Sequence, residues 1–409
     1  MEPFHVFTLS NGMRVVHYPM AREVAHCGLL IGAGSRDEKK EEHGLAHFLE
    51  HCLFKGTTHR KTFHILSRLD AVGGELNAFT AKEETWIHAS FLRGHLERAV
   101  ELIADIAFHS TFPAKEIEKE KAVIADEINS YLDSPSDMIF EEFDEMYFRS
   151  HALGRSILGT EESLKKLNRK DLLHFRDRIL TPDQLIFACA GPVHVNALKT
   201  LLEKHFGVQK MESHGLSRRR FTGPKPGRKV IQKDIHQVHY LLGFPAYDYP
   251  DEKRPALSLL NNILGGPGLN NRLSLNIREK HGFAYHIDSS YAPFTDTGIF
   301  SIYLGTDAAH LERSERLIWK ELDHFRNKTI SDRALKEAKL QLCGQIALSQ
   351  DNGSSMMFNL GKSLLLFDRV DTVEEVYAKI NSISAEDILH VSNEIFDRDK
   401  ATELIYTNS

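Results

Sequence analysis

The sequence predicts an α+β protein built from two related halves, each a mostly antiparallel sheet flanked by helices, and three observations carry that reading. The chain repeats itself: His95-Leu96-Glu97-Arg98 heads an amphipathic run through Leu102-Ile103, and His310-Leu311-Glu312-Arg313 heads another through Leu317-Ile318, 215 positions on. Ser134-Pro135-Ser136-Asp137-Met138-Ile139-Phe140 is echoed by Asn352-Gly353-Ser354-Ser355-Met356-Met357-Phe358 at an offset of 218, and two echoes in one order indicate a duplication. Strand patterns precede helical ones without strict β-α-β alternation, which separates this class from parallel α/β folds. With 42% hydrophobic residues and only 26 Gly and 13 Pro in 409, the chain can bury a core in each half.

In the first half, alternating or β-branched runs predict strands over 4–19, 25–32, 76–80 and 84–91. The 3.6-residue apolar period predicts helices over 42–54, 95–110 and 113–130. The second half gives strands over 238–244, 283–291 and 298–306, with helices over 253–264, 269–281 and 310–326. Between the halves runs a polar stretch with Gly223-Pro224-Lys225-Pro226-Gly227, in which Arg218-Arg219-Arg220 reads as a solvated face. The expected division is therefore 1–212, a linker over 213–228, and 229–409.

Fifty-one basic against 57 acidic residues give a net charge of −6, so no global cationic field draws nucleic acid or anionic lipid. No apolar run reaches the ~18 residues that cross a bilayer, and the start lacks the order of a signal peptide. Cys27, Cys52, Cys189 and Cys343 are scattered without a C-x-x-C pair. No membrane or nucleic-acid partner is expected, and a reducing compartment is.

Chemistry enters at His47-Phe48-Leu49-Glu50-His51. Residues four apart stack on one helix face, so two imidazoles can address one ion while Glu50 shares the rim, an H-x-x-E-H pattern. A carboxylate buried there needs a cation to compensate it, which favours a metal over core histidines. His43 is in phase but sits at the helix start, and Cys52 is rotated ~100° from His51 on the helix. A third ligand is required, and the residues alone leave Glu116, Glu120 and Glu127 open.

The stretch Gly44-Leu45-Ala46-His47-Phe48-Leu49-Glu50-His51-Cys52-Leu53-Phe54-Lys55-Gly56-Thr57 resembles the active-site helix of the pitrilysin/insulinase metallopeptidases, in the branch of the mitochondrial processing peptidases and their bacterial relatives. The resemblance extends from residue 5 to about 400 and implies the processing-peptidase-like half clamshell, also described as LuxS-like. It implies one zinc per chain held by His47, His51 and Glu127, with Glu120 as the supporting carboxylate and Glu50 as general base. An internal control agrees: at an offset of 210, Leu257, Leu260 and Asn261 stand where His47, Glu50 and His51 do, and at 218 Gln345 replaces Glu127.

The resemblance further implies that Gly73-Gly74-Glu75-Leu76-Asn77-Ala78-Phe79-Thr80 holds an edge strand to which a peptide adds, with Asn77, Ala78, Phe79 and Phe54 as substrate contacts. Arg278 and Tyr285, seven apart, match second-half residues that reach the active site, and Tyr285 would donate to the developing oxyanion. The function implied is a zinc endopeptidase acting on unfolded peptides or extended targeting segments in a closed chamber. The alternative is a non-catalytic subunit of a processing-peptidase-like complex. A homodimer is expected, a heterodimer with a related chain being the alternative, in a bacterial cytoplasm or else a mitochondrial matrix.

Overall fold

The computed structural model describes residues 4–213 and 215–408; His214, inside the expected linker, lies outside them. The chain forms two compact units. The first comprises the chain up to Asn129, Arg155–Arg218 and Leu348–Thr372. The second comprises Ser130–Gly154, Arg219–Ala347 and the chain from Val373 on.

The sheet of the first unit contains β1 (His5–Thr8), β2 (Arg14–Pro19), β3 (Val24–Ile31), β4 (Glu75–Thr80), β5 (Thr85–Leu92) and β6 (Leu185–Gly191), in the order β1-β2-β6-β3-β5-β4. Only the β2–β6 pair is parallel, so the sheet is mostly antiparallel, as the pattern requires. The single strand expected over 4–19 is a hairpin, because Leu9 and Met13 close a turn whose Gly12 has φ +91°. β6 was missed because its seven residues are all buried, and a two-sided apolar run carries no alternation.

The second sheet runs β7 (Gly227–Lys233), β11 (Thr402–Asn408), β8 (Val238–Ala246), β10 (Gly298–Thr306) and β9 (Ala284–Pro293), with only β7–β11 parallel. β7 starts where the linker was expected to end. The helix expected over 269–281 runs over 272–281, with a π-helical stretch, Ser274–Glu279, at its centre.

The duplication is visible element by element. Helix Ala114–Leu132 recurs as Asp332–Gln350, 19 residues each and 218 positions apart. Helix Pro135–Phe148 recurs as Gly353–Phe367 at the same offset. These last two are exchanged: Pro135–Phe148, from the first half, packs with Leu241, Leu404 and Tyr406 of the second sheet. Gly353–Phe367, from the second half, packs with Val16, Leu30, Trp86 and Ile186 of the first. The segments that echo in the sequence are therefore those that cover the opposite sheet. Each approach is close enough to need a glycine. A Cβ on Gly361 would lie 2.6 Å from the Trp86 ring, and one on Gly243 would lie 2.5 Å from the Phe143 ring.

The other face of the first sheet builds the larger core, from Leu29, Ile87, Leu102, Ile106 and Phe187, with Phe48 and Leu49 of the helix Leu45–Leu53 packed into it. That packing fixes the helix against β4. Arg218 is not solvated: it forms a two-pronged pair with Asp37 at 2.8 Å and also donates to the Gly32 carbonyl, so the basic cluster opens with an anchor.

Candidate metal centre

The helix Leu45–Leu53 starts after Gly44 and has seven of its nine residues buried. Its first-turn donors are met by a carboxyl from outside the helix: Glu38 accepts from the backbone N–H of Gly44 at 3.0 Å and of Ala46 at 2.8 Å. Burial pushes Glu38 up to about 8, although these hydrogen bonds and the Arg155 charge pull the other way.

With the helix fixed, His47 and His51 meet edge to face, ring centroids 4.6 Å apart. Glu127, near the end of helix Ala114–Leu132, brings Oε2 to 3.8 Å from Nε2 of His47 and 3.6 Å from Nε2 of His51. Ligand atoms around a tetrahedral ion with bonds of ~2.0–2.2 Å are roughly 3.3–3.6 Å apart, a spacing close to those between Glu127 and the two imidazoles. Burial drives the His47 imidazole down to about 3, with His51 adding to the effect, which keeps it neutral as a ligand must be.

Glu120, two turns before Glu127, places Oε2 3.2 Å from Nδ1 of His51 and Oε1 2.7 Å from Nζ of Lys55. This is the carboxylate–histidine pairing that fixes which ring nitrogen faces a metal. His47 lacks such support, its Nδ1 being buried without a partner among the described residues. Of the three glutamates left open, Glu127 stands nearest both histidines, whereas Glu116 pairs with Lys119 at 2.8 Å on the surface of its helix.

Glu50 lies on the helix Leu45–Leu53 with His47 and His51 and accepts a hydrogen bond from Thr80 Oγ1 at 2.6 Å through Oε2. Burial raises its pKa, Thr80 and His51 lower it, and Glu127 raises it, for a net upward shift. No described residue donates to its Oε1, so one oxygen remains free to take a proton.

Among the described residues β4 pairs only with β5 and is an edge of its sheet. Ala78 and Thr80 face the core and Glu50, whereas Asn77 and Phe79 lie on the other face. Phe79 packs against His88 and Phe358, and Asn77 Oδ1 accepts from the Ala78 N–H at 2.8 Å. Phe54 follows the helix and packs against the first core. Arg278 and Tyr285 belong to the second unit, Arg278 paired with Glu279 at 2.9 Å and Tyr285 73% exposed on β9. At the degenerate positions, Leu257 and Leu260 are buried and Asn261 Oδ1 accepts from Ser289 at 2.7 Å.

Sequence reasoning passed over Glu38, Thr80 and the ammonium of Lys55. It also missed a second group of metal-ligating side chains, His59, Asp105 and His109. Asp105 and His109 are four apart on one helix, a spacing that signals a shared face.

Two mostly antiparallel sheets with flanking helices, and a His-His-Glu trio beside a free carboxylate, define the class of metallopeptidase with an inverted zinc motif. Residues 15–161 match insulinase, peptidase family M16, and residues 166–342 match the peptidase M16 inactive domain. The chain belongs to the M16 insulinase family. It is 36% identical to the uncharacterized zinc protease YmxG of Bacillus subtilis over 98% of this chain and 97% of that protein. An uncharacterized zinc protease of Mycobacterium leprae is 35% identical over 96% and 89%. A protease structure from Helicobacter pylori, 22% identical, shares the fold with a TM-score of 0.91 over 99% of both chains. No helix among the described residues is long and apolar enough to cross a membrane.

Proposed function

We propose that this chain is a zinc metalloendopeptidase that hydrolyses unfolded peptides or extended targeting segments, with His47, His51 and Glu127 as metal ligands. The observation that carries the reading is the convergence of that trio with Glu50, whose Oε1 is free. Zinc, when bound, supplies Lewis acidity, lowering the pKa of water toward ~7 and polarising a carbonyl. Glu50 takes the proton of the attacking water at Oε1, while Thr80 holds its other oxygen in place. Glu120 keeps the His51 ring oriented through Nδ1. The free edge of β4 offers main-chain groups to an extended peptide whatever its sequence, with Asn77 and Ala78 exchanging their mutual hydrogen bond for bonds to it. Arg278 and Tyr285 are assigned to oxyanion stabilisation, where one donor is worth about 2.7–4 kcal/mol in other enzymes.

The competing reading, a non-catalytic subunit, draws on the inactive-domain match over 166–342. That match covers the half in which Leu257, Leu260 and Asn261 replace the motif, and the first half retains it. The active assembly is proposed as a homodimer in a bacterial cytoplasm. Incubating the purified protein with a mixed peptide library, with and without chelator, and reading products by mass spectrometry tests the proposal. Chelator-sensitive cleavage supports it, and an inert protein supports the subunit reading.

A further inference from the structure

Outside the centre above, His59, Asp105 and His109 bring one ligand atom each within 4.8 Å of one another. Asp105 and His109 occupy one face of helix Leu96–His109, and His59 lies in the loop that follows the helix Leu45–Leu53. The rings of His59 and His109 meet edge to face at 5.0 Å and 74°, close to the 4.6 Å and 66° of His47 and His51. Asp105 is buried, and its two oxygens are used differently. Oδ2 accepts from Thr57 at 2.8 Å and Arg60 at 2.6 Å, whereas Oδ1 faces Nδ1 of His59 at 2.6 Å.

A plain histidine–carboxylate hydrogen bond accounts for His59 but not for His109. The His109 imidazole is half-buried with a ring nitrogen within 4.8 Å of the same carboxylate, yet nothing among the described residues hydrogen-bonds to it. A borderline metal ion satisfies all three at once, since two imidazoles and one carboxylate form a familiar donor set for zinc. We propose that His59, Asp105 and His109 form a second, exchangeable site for a divalent transition-metal ion such as Zn²⁺, independent of the peptidase centre.

Charge decides the ranking of the two sites. Around His47 and His51 stand three carboxylates, Glu50, Glu120 and Glu127, against the one ammonium of Lys55. Around Asp105 the carboxylates of Asp105 and Glu101 are already balanced by Arg60 and Arg68. The incoming ion therefore gains less at the second site, which fills only after the first. His59 closes the gap between ligands: its side chain is 60% exposed, so its ring can turn without disturbing the core.

The site adds a weakly held equivalent to the single zinc expected from the motif. The test is equilibrium dialysis of the metal-free protein against increasing Zn²⁺, read by elemental analysis. Wild type should bind two equivalents, the second released first on dialysis. His51→Ala should keep only the weak equivalent, and His109→Ala only the tight one. His59→Ala, at an exposed position and with Asp105 still held by Thr57 and Arg60, should weaken the second equivalent at least as much as the ~10–100-fold typical of lost supporting groups. Saturation of wild type at one equivalent overturns the proposal. So does a second equivalent that persists unchanged in both His59→Ala and His109→Ala.

Discussion

Lys55 holds its Nζ 2.7 Å from Oε1 of Glu120, whose other oxygen sits 3.2 Å from Nδ1 of His51. The ammonium thus stands two contacts behind a proposed ligand. Glu120 is buried, and an unpaired carboxylate there would be costly, so Lys55 compensates one of its oxygens while the other faces Nδ1 of His51. That leaves Nε2 of His51 as the bare nitrogen facing Glu127. Lys55→Met keeps the aliphatic stem and removes the charge. Zinc affinity, measured by competition with a chromophoric chelator, should fall about 10–100-fold while the circular dichroism stays that of the wild type. Unchanged affinity would show that Lys55 has no part in positioning His51.

Glu50→Gln keeps the shape and the Thr80 contact but removes the basic oxygen. Peptide cleavage should drop by at least the ~10²–10⁴-fold of a lost general base, with the tightly held zinc retained. Loss of zinc in step with activity would make Glu50 a ligand, and persistent activity would remove it from the mechanism.

The candidate metal helix was legible in the sequence because its proposed function and its period coincide: His47 and His51 sit one turn apart, and Leu45, Phe48, Leu49 and Cys52 supply the buried face. Choosing Glu127 over Glu116 was not legible without the family resemblance, because both carboxylates recur on one polar helix. Only the fold shows Glu127 beside the histidines and Glu116 on Lys119. Buried strands such as β6 escaped because two-sided burial erases alternation, and Glu38 escaped because its partners are backbone N–H groups, which leave no side-chain pattern. The echo at offset 218 was visible, but that the echoing helices cross to each other's sheets is a matter of topology.

That exchange rests on close approach, so it can be probed at Gly361. Alanine there gains up to ~1 kcal/mol of helix propensity. Its Cβ, however, would stand 2.6 Å from the ring of Trp86, itself 1% exposed and unable to retreat. Overpacking of this kind costs about 1–3 kcal/mol and should win, so Gly361→Ala should lower the melting temperature by several degrees. A higher melting temperature would mean that the helix shifts freely on the sheet.

Two histidines lie under the same helix. His26 accompanies Ser90 at 2.8 Å near Gly353, and His88 packs against Phe358 at 5.0 Å. Burial lowers both, aided by Arg22 at His26 and by His26 at His88, with Glu75 opposing in each case. A lowered folded-state pKa means that the unfolded chain binds more protons below the ordinary value of about 6.5. Stability is therefore complete above that pH and declines as pH falls through it. Glu38 and Glu50, with raised pKa values, act in the opposite sense, so the difference carries the test: between pH 7 and 5 the melting temperature of His88→Gln should lose less relative to its value at pH 7 than that of wild type. Equal slopes would remove His88 from the acid response.

The proposed homodimer is tested by subunit exchange. Long members of the resembled family join four related domains, with the zinc helix in the first and the Arg/Tyr element in the fourth. This chain carries two related domains, so two copies supply four, and each copy holds both a zinc motif and an Arg278/Tyr285 element. Glu50→Gln and Tyr285→Phe should each be nearly inactive alone. In a mixed dimer with a shared site, the chain with intact Glu50 meets the other chain's intact Tyr285, and one site of two is restored. With half of the dimers mixed, roughly a quarter of wild-type activity should return, given complete exchange and independent sites. If Tyr285 serves the zinc of its own chain, every site keeps one lesion and mixing recovers nothing.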